Sequence, residues 1–323
     1  MSRLVRATTL FALMLQSLAP AAADTWPDRP IKIIVSQAAG GTPDIICRII
    51  SDKLSDLLGQ RVVVENRPGG ANVVGAQAAA HAAPDGYTLF FATAAALVSN
   101  PHTYTTLPYD PVKDVVAVSM VAKNPFLILA NPSVPANNLS ELVAYDKANP
   151  GKLTFATDGQ RNFSGILATW LNKVSGANIL QVPYATMPQG VQDTLAGRTQ
   201  LTILAIPSAA PHVSRGALKP LAISWTKRLP LYPQVQSISE TFPGVELTGW
   251  FVIVAPADTP ADIVTRLNQE MDKVLKTPEM VQKLADLGFY TEGAETPQAT
   301  SAFVKAQYEL WAKIVRDIGL QPE

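Results

Sequence analysis

The stretch Val115-Val116-Ala117-Val118-Ser119-Met120-Val121-Ala122-Lys123-Asn124-Pro125-Phe126-Leu127-Ile128-Leu129-Ala130 decides the architecture. Residues 115–121 and 126–130 are both apolar, strand-length runs, and little more than Lys123-Asn124-Pro125 separates them. Two extended segments in tandem suit a strand that leaves one sheet and enters another. The stretch lies in a long middle segment punctuated by Pro101, Pro108, Pro111, Pro125, Pro132 and Pro135.

Strand and helix signals alternate on the N-terminal side. Ile31-Lys32-Ile33-Ile34-Val35 is a β-branched run of the kind buried in a parallel sheet. Thr42, Pro43 and Asp44 then suit the cap, first position and positive dipole end of a helix, which Gly59 stops. Val62-Val63-Val64 starts a second strand, the Ala-rich stretch after Gly70 reads as a helix, and residues 88–92 form a third strand. Such βα steps imply a parallel sheet with right-handed crossovers. Beyond the crossing the pattern repeats, with strands expected at 153–156, 179–182, 201–204 and 220–224. Residues 250–255 resemble a return strand, and helices are expected at 260–275, 278–287 and 297–318. The expected fold is α/β and two-lobed, each lobe a mostly parallel sheet flanked by helices, with two hinge crossings. Residues 24–123 with 250–323 would make lobe 1, and residues 124–249 lobe 2. The cleft between them is the expected ligand site.

The 323 residues suit two domains of ordinary size, and 47% hydrophobic content can bury real cores. With 26 Lys+Arg against 26 Asp+Glu, the electrostatic footprint of a nucleic-acid binder is missing. The single cysteine, Cys47, excludes an internal disulfide and a paired-cysteine zinc site, and it reads as a small buried hydrophobe. His81, His102 and His212 are widely separated, so neither metal nor cofactor is expected. At the N-terminus Arg3 and Arg6 precede an apolar run at 10–18, then Pro20-Ala21-Ala22-Ala23. That order is a secretory signal peptide over residues 1–23, too short to span a bilayer, and it implies export to the periplasm.

Catalytic constellations are missing from the sequence. There is no Gly-x-Ser-x-Gly elbow, His-Glu-x-x-His pair, Walker loop or Gly-x-Gly-x-x-Gly fingerprint. What stands out are loops between strands and helix N-termini, which aim backbone N–H groups at an anion. Ser36, Gln37, Ala38, Ala39, Gly40, Gly41 and Thr42, with Asp44 behind them, form the first such loop. Its counterpart in the second lobe is Thr157, Asp158, Gly159, Gln160, Arg161, Asn162, Phe163 and Ser164, before a helix from about Gly165. Arg161 is the expected charged anchor, since one charge-assisted hydrogen bond contributes about 1.5–3 kcal/mol.

A series of motifs then carries a resemblance. Trp26-Pro27-Asp28-Arg29-Pro30-Ile31-Lys32, Gly40-Gly41-Thr42-Pro43-Asp44, Val64-Glu65-Asn66-Arg67-Pro68-Gly69-Gly70 and Pro84-Asp85-Gly86-Tyr87-Thr88-Leu89 come first. Tyr109-Asp110-Pro111, Asn149-Pro150-Gly151-Lys152-Leu153, Val182-Pro183-Tyr184 and Ala255-Pro256-Ala257-Asp258-Thr259-Pro260 follow in order. Together these resemble the periplasmic substrate-binding proteins of tripartite tricarboxylate transporters, the Bug family, across the whole mature chain. The resemblance implies two lobes closing over a small organic carboxylate, one end of which is held by the stretch from Ser36 to Asp44. It adds Thr93 and Ala94 from the neighbouring loop and Tyr184 from the second lobe. It also implies membrane permease subunits as partners, and the protein is expected to act as a monomer. Asp193 aligns with a common family aspartate and reads as structural.

Departures from the family pattern bear on the ligand. Ile166 stands where the family often has a histidine, Ala185-Thr186 where Lys-Gly is common, and Ile203-Leu204-Ala205-Ile206-Pro207 where Asp-Asn is frequent. These exchanges remove polar groups, so the expected guest is a dicarboxylate with an apolar or aromatic body. Two other functions compete: a sensor presenting its ligand to a membrane two-component kinase, and a secreted enzyme using Asp44, Asp158 or Tyr184.

Overall fold

Apolar side chains split between two faces along the first strands because helices cover both sides of the sheet. In β1 (Ile31–Val35), Ile31, Ile33 and Val35 join one core and Ile34 the other. In β3 (Thr88–Thr93), Leu89 and Phe91 separate from Phe90 and Ala92 in the same way. Helix α1 (Thr42–Leu58) packs Ile46, Cys47, Ile50 and Leu54 onto the first face. Cys47 is fully buried, which pushes its thiol up to about 12 and leaves it unreactive. β2 (Val62–Asn66) leads through a short turn to α2 (Val73–Ala80).

The computed structural model describes residues 26–160, 162–184, 186–243 and 247–322. The signal peptide expected at residues 1–23 and the anchor expected at Arg161 lie outside them. After β3, residues Ala95–Ser99 form a π-helical turn that runs into α3 (Asn100–Thr103). The sequence shows only a Pro-punctuated stretch here, yet Pro101 sits in the first turn of α3, where its missing N–H costs nothing.

β4 (Val115–Asn124) and β5 (Phe126–Ala130) are the tandem strands, and they belong to different sheets. The second lobe continues with α4 (Leu139–Ala148), β6 (Thr154–Thr157), α5 (Phe163–Ser175), β7 (Leu180–Pro183), α6 (Met187–Leu195) and β8 (Leu201–Ala205). It ends with α7 (Ile206–Val213), β9 (Lys219–Ile223) and α8 (Ile238–Thr241). β10 (Gly249–Pro256) returns to the first sheet, followed by α9 (Ala261–Leu275), α10 (Pro278–Asp286) and α11 (Pro297–Asp317).

One sheet has the order β2-β1-β3-β10-β4 and the other β7-β6-β8-β5-β9. Each carries one strand, β10 or β5, antiparallel to both its neighbours, and that strand is the one arriving from the other lobe. The two-lobed α/β architecture is the one the sequence implies, each sheet being mixed, with two parallel and two antiparallel pairings. Trp250, 1% exposed, meets Phe303 edge-on at 5.6 Å, and Trp225 lies 5.8 Å from Tyr290, so both pack beside the crossings. No helix among the described residues is long and apolar enough to cross a membrane.

Candidate ligand cleft

Both lobes contribute to a cleft of about 440 Å3, a size suited to a small organic molecule. The first lobe supplies Ala71 and Asn72 ahead of α2, then Ala94, Ala95, Ser99, Asn100, Thr103 and Tyr104 from the π turn and α3. The second supplies Asn162, Phe163 and Ile166 from the start of α5, and Trp311 of α11 completes the lining. Another cavity, about 410 Å3, lies inside the first lobe beneath α11, between Val115 and Tyr308. All of its lining residues belong to the first lobe.

The cleft combines an apolar wall with uncharged polar groups. Phe163 stacks on Phe126 of β5 at 4.2 Å and lies 6.5 Å from Trp311, so one aromatic row joins the two lobes. Ile166 extends this wall. Opposite stand Asn72, Ser99, Asn100, Thr103 and Tyr104, with no ionisable acid or base among the described lining residues apart from the tyrosine phenol. His102 sits on α3 behind the lining, its imidazole 4.4 Å from the Tyr308 ring and 3.1 Å from the Tyr308 carbonyl oxygen. Burial pushes its pKa below the ordinary histidine value, which keeps a cation away from this wall at neutral pH. Asn100 Nδ2 donates to Ala71 O at 2.8 Å and so ties α3 to the turn carrying Asn72.

Of the residues expected at the site, Ala94, Asn162 and Phe163 line this cleft. Ser36 and Gln37 stand directly behind it, since both hydrogen-bond the side chain of Asn72. Ala38, Ala39, Gly40 and Thr42 lie at the N-terminal end of α1, with Gly41 half-buried beside them. Thr93 Oγ1 accepts from Ala96 N at 3.3 Å at the start of the π turn. Thr157 is fully buried, its hydroxyl 3.5 Å from Gln181 Oε1. Asp158 and Ser164 pair with each other: Asp158 N donates to Ser164 Oγ at 2.9 Å, and the hydroxyl donates to the Asp158 carboxylate. Asn162 Nδ2 donates to Asp158 O at 2.6 Å, and Gln160 is exposed.

Two of the expected residues have their polar atoms engaged within the scaffold. The sequence assigns Asp44 to the ligand, but the residue is 2% exposed and both carboxylate oxygens are engaged within the scaffold. Oδ2 accepts from Gly40 N at 2.8 Å and Arg48 Nε at 3.0 Å; Oδ1 accepts from Asn66 Nδ2 at 2.8 Å and lies 2.9 Å from an Arg48 terminal nitrogen. The resemblance places Tyr184 beside the ligand, but its hydroxyl donates to Asp193 Oδ2 at 2.6 Å, and Arg198 holds the other Asp193 oxygen. The Tyr184 ring packs against Gly190 of α6, so it braces that helix. Sequence reasoning misses Asn72, Ser99, Asn100, Thr103, Tyr104 and Trp311. The Gly69-Gly70 pair just ahead of Asn72 is the available signal; nothing local marks Trp311, which arrives from the far end of the chain.

Two α/β lobes joined by extended crossings, with a cleft lined from both sides, define a two-lobed solute-binding protein. Residues 46–320 match the model of the tripartite tricarboxylate transporter family receptor, and the chain belongs to this family. It is 34% identical over 321 residues to a UPF0065 protein of Bordetella bronchiseptica, spanning 99% of this chain and 95% of that one. Protein BugT of Bordetella pertussis is 33% identical over 321 residues, spanning 99% and 98% of the two chains. Among solved structures, R. palustris Rpa4515 with adipate has a TM-score of 0.75 at 30% identity, over 92% of this chain and 100% of its own.

Proposed function

We propose that this protein is an exported, periplasmic receptor that captures a small carboxylate with an apolar or aromatic body and delivers it to the membrane subunits of a tripartite tricarboxylate-type transporter. The observation that carries this reading is the lining itself: uncharged amide and hydroxyl groups facing Phe163, Ile166 and Trp311. Hydrogen bonds to an ionised group contribute about 1.5–3 kcal/mol each, so a few such donors approach the roughly 8 kcal/mol of a micromolar complex. Full burial of an aromatic ring or a short methylene chain against the aromatic row adds about 0.8 kcal/mol per CH2. A guest rich in hydroxyl groups would leave polar atoms unpaired against that row and lose affinity. The similarity to an adipate-bound relative supports the same class, and Arg161, at the head of α5 in the sequence, is the assigned charged anchor.

Calorimetric titration with adipate, terephthalate, citrate and glutamate tests the proposal. Micromolar or tighter binding of adipate or terephthalate, with citrate and glutamate at least tenfold weaker, is the expected outcome. Binding of citrate or glutamate alone would refute it.

A further inference from the structure

We propose that Asn72 selects an anionic oxygen in the cleft, with Ser36 and Gln37 as its positioning residues; this rests on the carboxylate-binding reading above. Asn72 Oδ1 accepts from Ser36 Oγ at 2.9 Å and from Gln37 Nε2. An amide oxygen has two lone pairs, so its acceptor capacity is filled. The amide nitrogen has no hydrogen-bond partner among the described residues, and Asn72 lines the cleft. An asparagine held this way offers the cleft donors only. It favours a carboxylate oxygen over an amine or amide nitrogen without placing a charge in the lining.

Several features hold this arrangement at a cost to stability. Asn72 has φ +82° and Ala71 φ +49°, left-handed conformations that disfavour side-chain-bearing residues. Gln37 Oε1 is buried without a partner while its Nε2 serves Asn72. A Cβ on Gly75 would lie 2.8 Å from Ser36 Cβ, so only glycine there lets α2 approach the β1 loop closely enough for Asn72 to reach Ser36. Asn66 Nδ2 fixes the other side of the loop by donating to Gln37 O at 3.1 Å. Asn72 makes no side-chain capping bond to α2, so its side chain is not needed to start that helix.

The test compares adipate with its uncharged diamide, adipamide, on wild type, Asn72→Gly, Asn72→Asp and Gln37→Ala. Glycine adopts φ +82° freely, so N72G should keep the wild-type melting temperature or exceed it. Adipate affinity should nevertheless fall at least tenfold in N72G, while adipamide affinity changes less than threefold. N72D should lose adipate at least a hundredfold, and Q37A should narrow the adipate-to-adipamide ratio at unchanged melting temperature. Adipate binding by N72G within twofold of wild type, or a parallel loss of both ligands, would overturn the assignment of Asn72. Wild-type protein that binds neither ligand, nor any other carboxylate offered, would overturn the carboxylate reading and this inference with it.

Discussion

At Asp44 one carboxylate ties together the β1 loop, the first turn of α1 and the end of β2. The Arg48 guanidinium beside it, with Gly40 N–H and Asn66, holds its pKa down to about 2 from an ordinary 3.8. A depressed carboxyl pKa means that the ionised form stabilises the native state. That contribution is complete above about pH 4 and lost as pH falls toward 2. Arg48 is half exposed, so water screens part of the pair. Asp44→Asn should therefore cost on the order of 2 kcal/mol at pH 6, largely by setting an amide donor against donors already in place. Urea unfolding of both proteins at several pH values checks this: the gap should close toward pH 2. A gap of constant size would show that the charge of Asp44 is irrelevant. The N-terminal position of Asp44 on a helix is legible in the sequence, but the direction its carboxylate takes depends on Asn66, twenty-two residues away.

Helix α5 depends on a close approach at its first turn. It begins at Phe163, two residues ahead of the position the sequence suggests, because the Asp158–Ser164 pair folds the preceding loop back onto the helix. A Cβ on Gly165 would lie 2.0 Å from Gly159 O, a contact no real side chain tolerates. Gly165→Ala should thus destabilise the protein by about 2 kcal/mol or more, in the upper range for overpacking. It should also weaken ligand binding, since Asn162 and Phe163 ride on the displaced turn. Thermal unfolding and titration on the same variant measure both effects. Unchanged stability would mean that the loop relaxes freely and does not fix the cleft wall.

Across the molecule, one face of each sheet contributes to a single continuous core. Ile34, Phe90, Trp250 and Trp311 of the first lobe share one buried cluster with Ile128, Phe155 and Ile166 of the second. Lys227 and Glu292 also join the lobes, through a 2.7 Å ion pair. Any change in lobe angle must be absorbed where this shared core crosses between the sheets. Trp311 sits at that place, on α11, while also lining the cleft. A ligand shifts the lobe equilibrium only through contacts that differ between the two states. Trp311→Phe should therefore abolish most of the tryptophan fluorescence change produced by adipate, whereas Trp225→Phe should retain it. Loss of the signal in W225F instead would move the responsive group to Trp225, which packs against Tyr290.

Alternation of apolar residues, Pro125 between two short strands, and the cap residues of the helices are local signals. They determined the two sheets, the crossing and the order of elements, because backbone geometry reads its neighbours in sequence. The loops Ser36 to Asp44 and Thr157 to Ser164 follow from the same logic, as turns that precede helices. What only the tertiary structure decided is which polar groups remain free once the scaffold has satisfied its own. Asp44, Tyr184 and the Asn100 amide are consumed internally, whereas Asn72 and Trp311 reach the cleft from segments far apart in the chain. Hydrogen-bond partners and burial are set by packing between distant segments, and no window of sequence contains both members of such a pair.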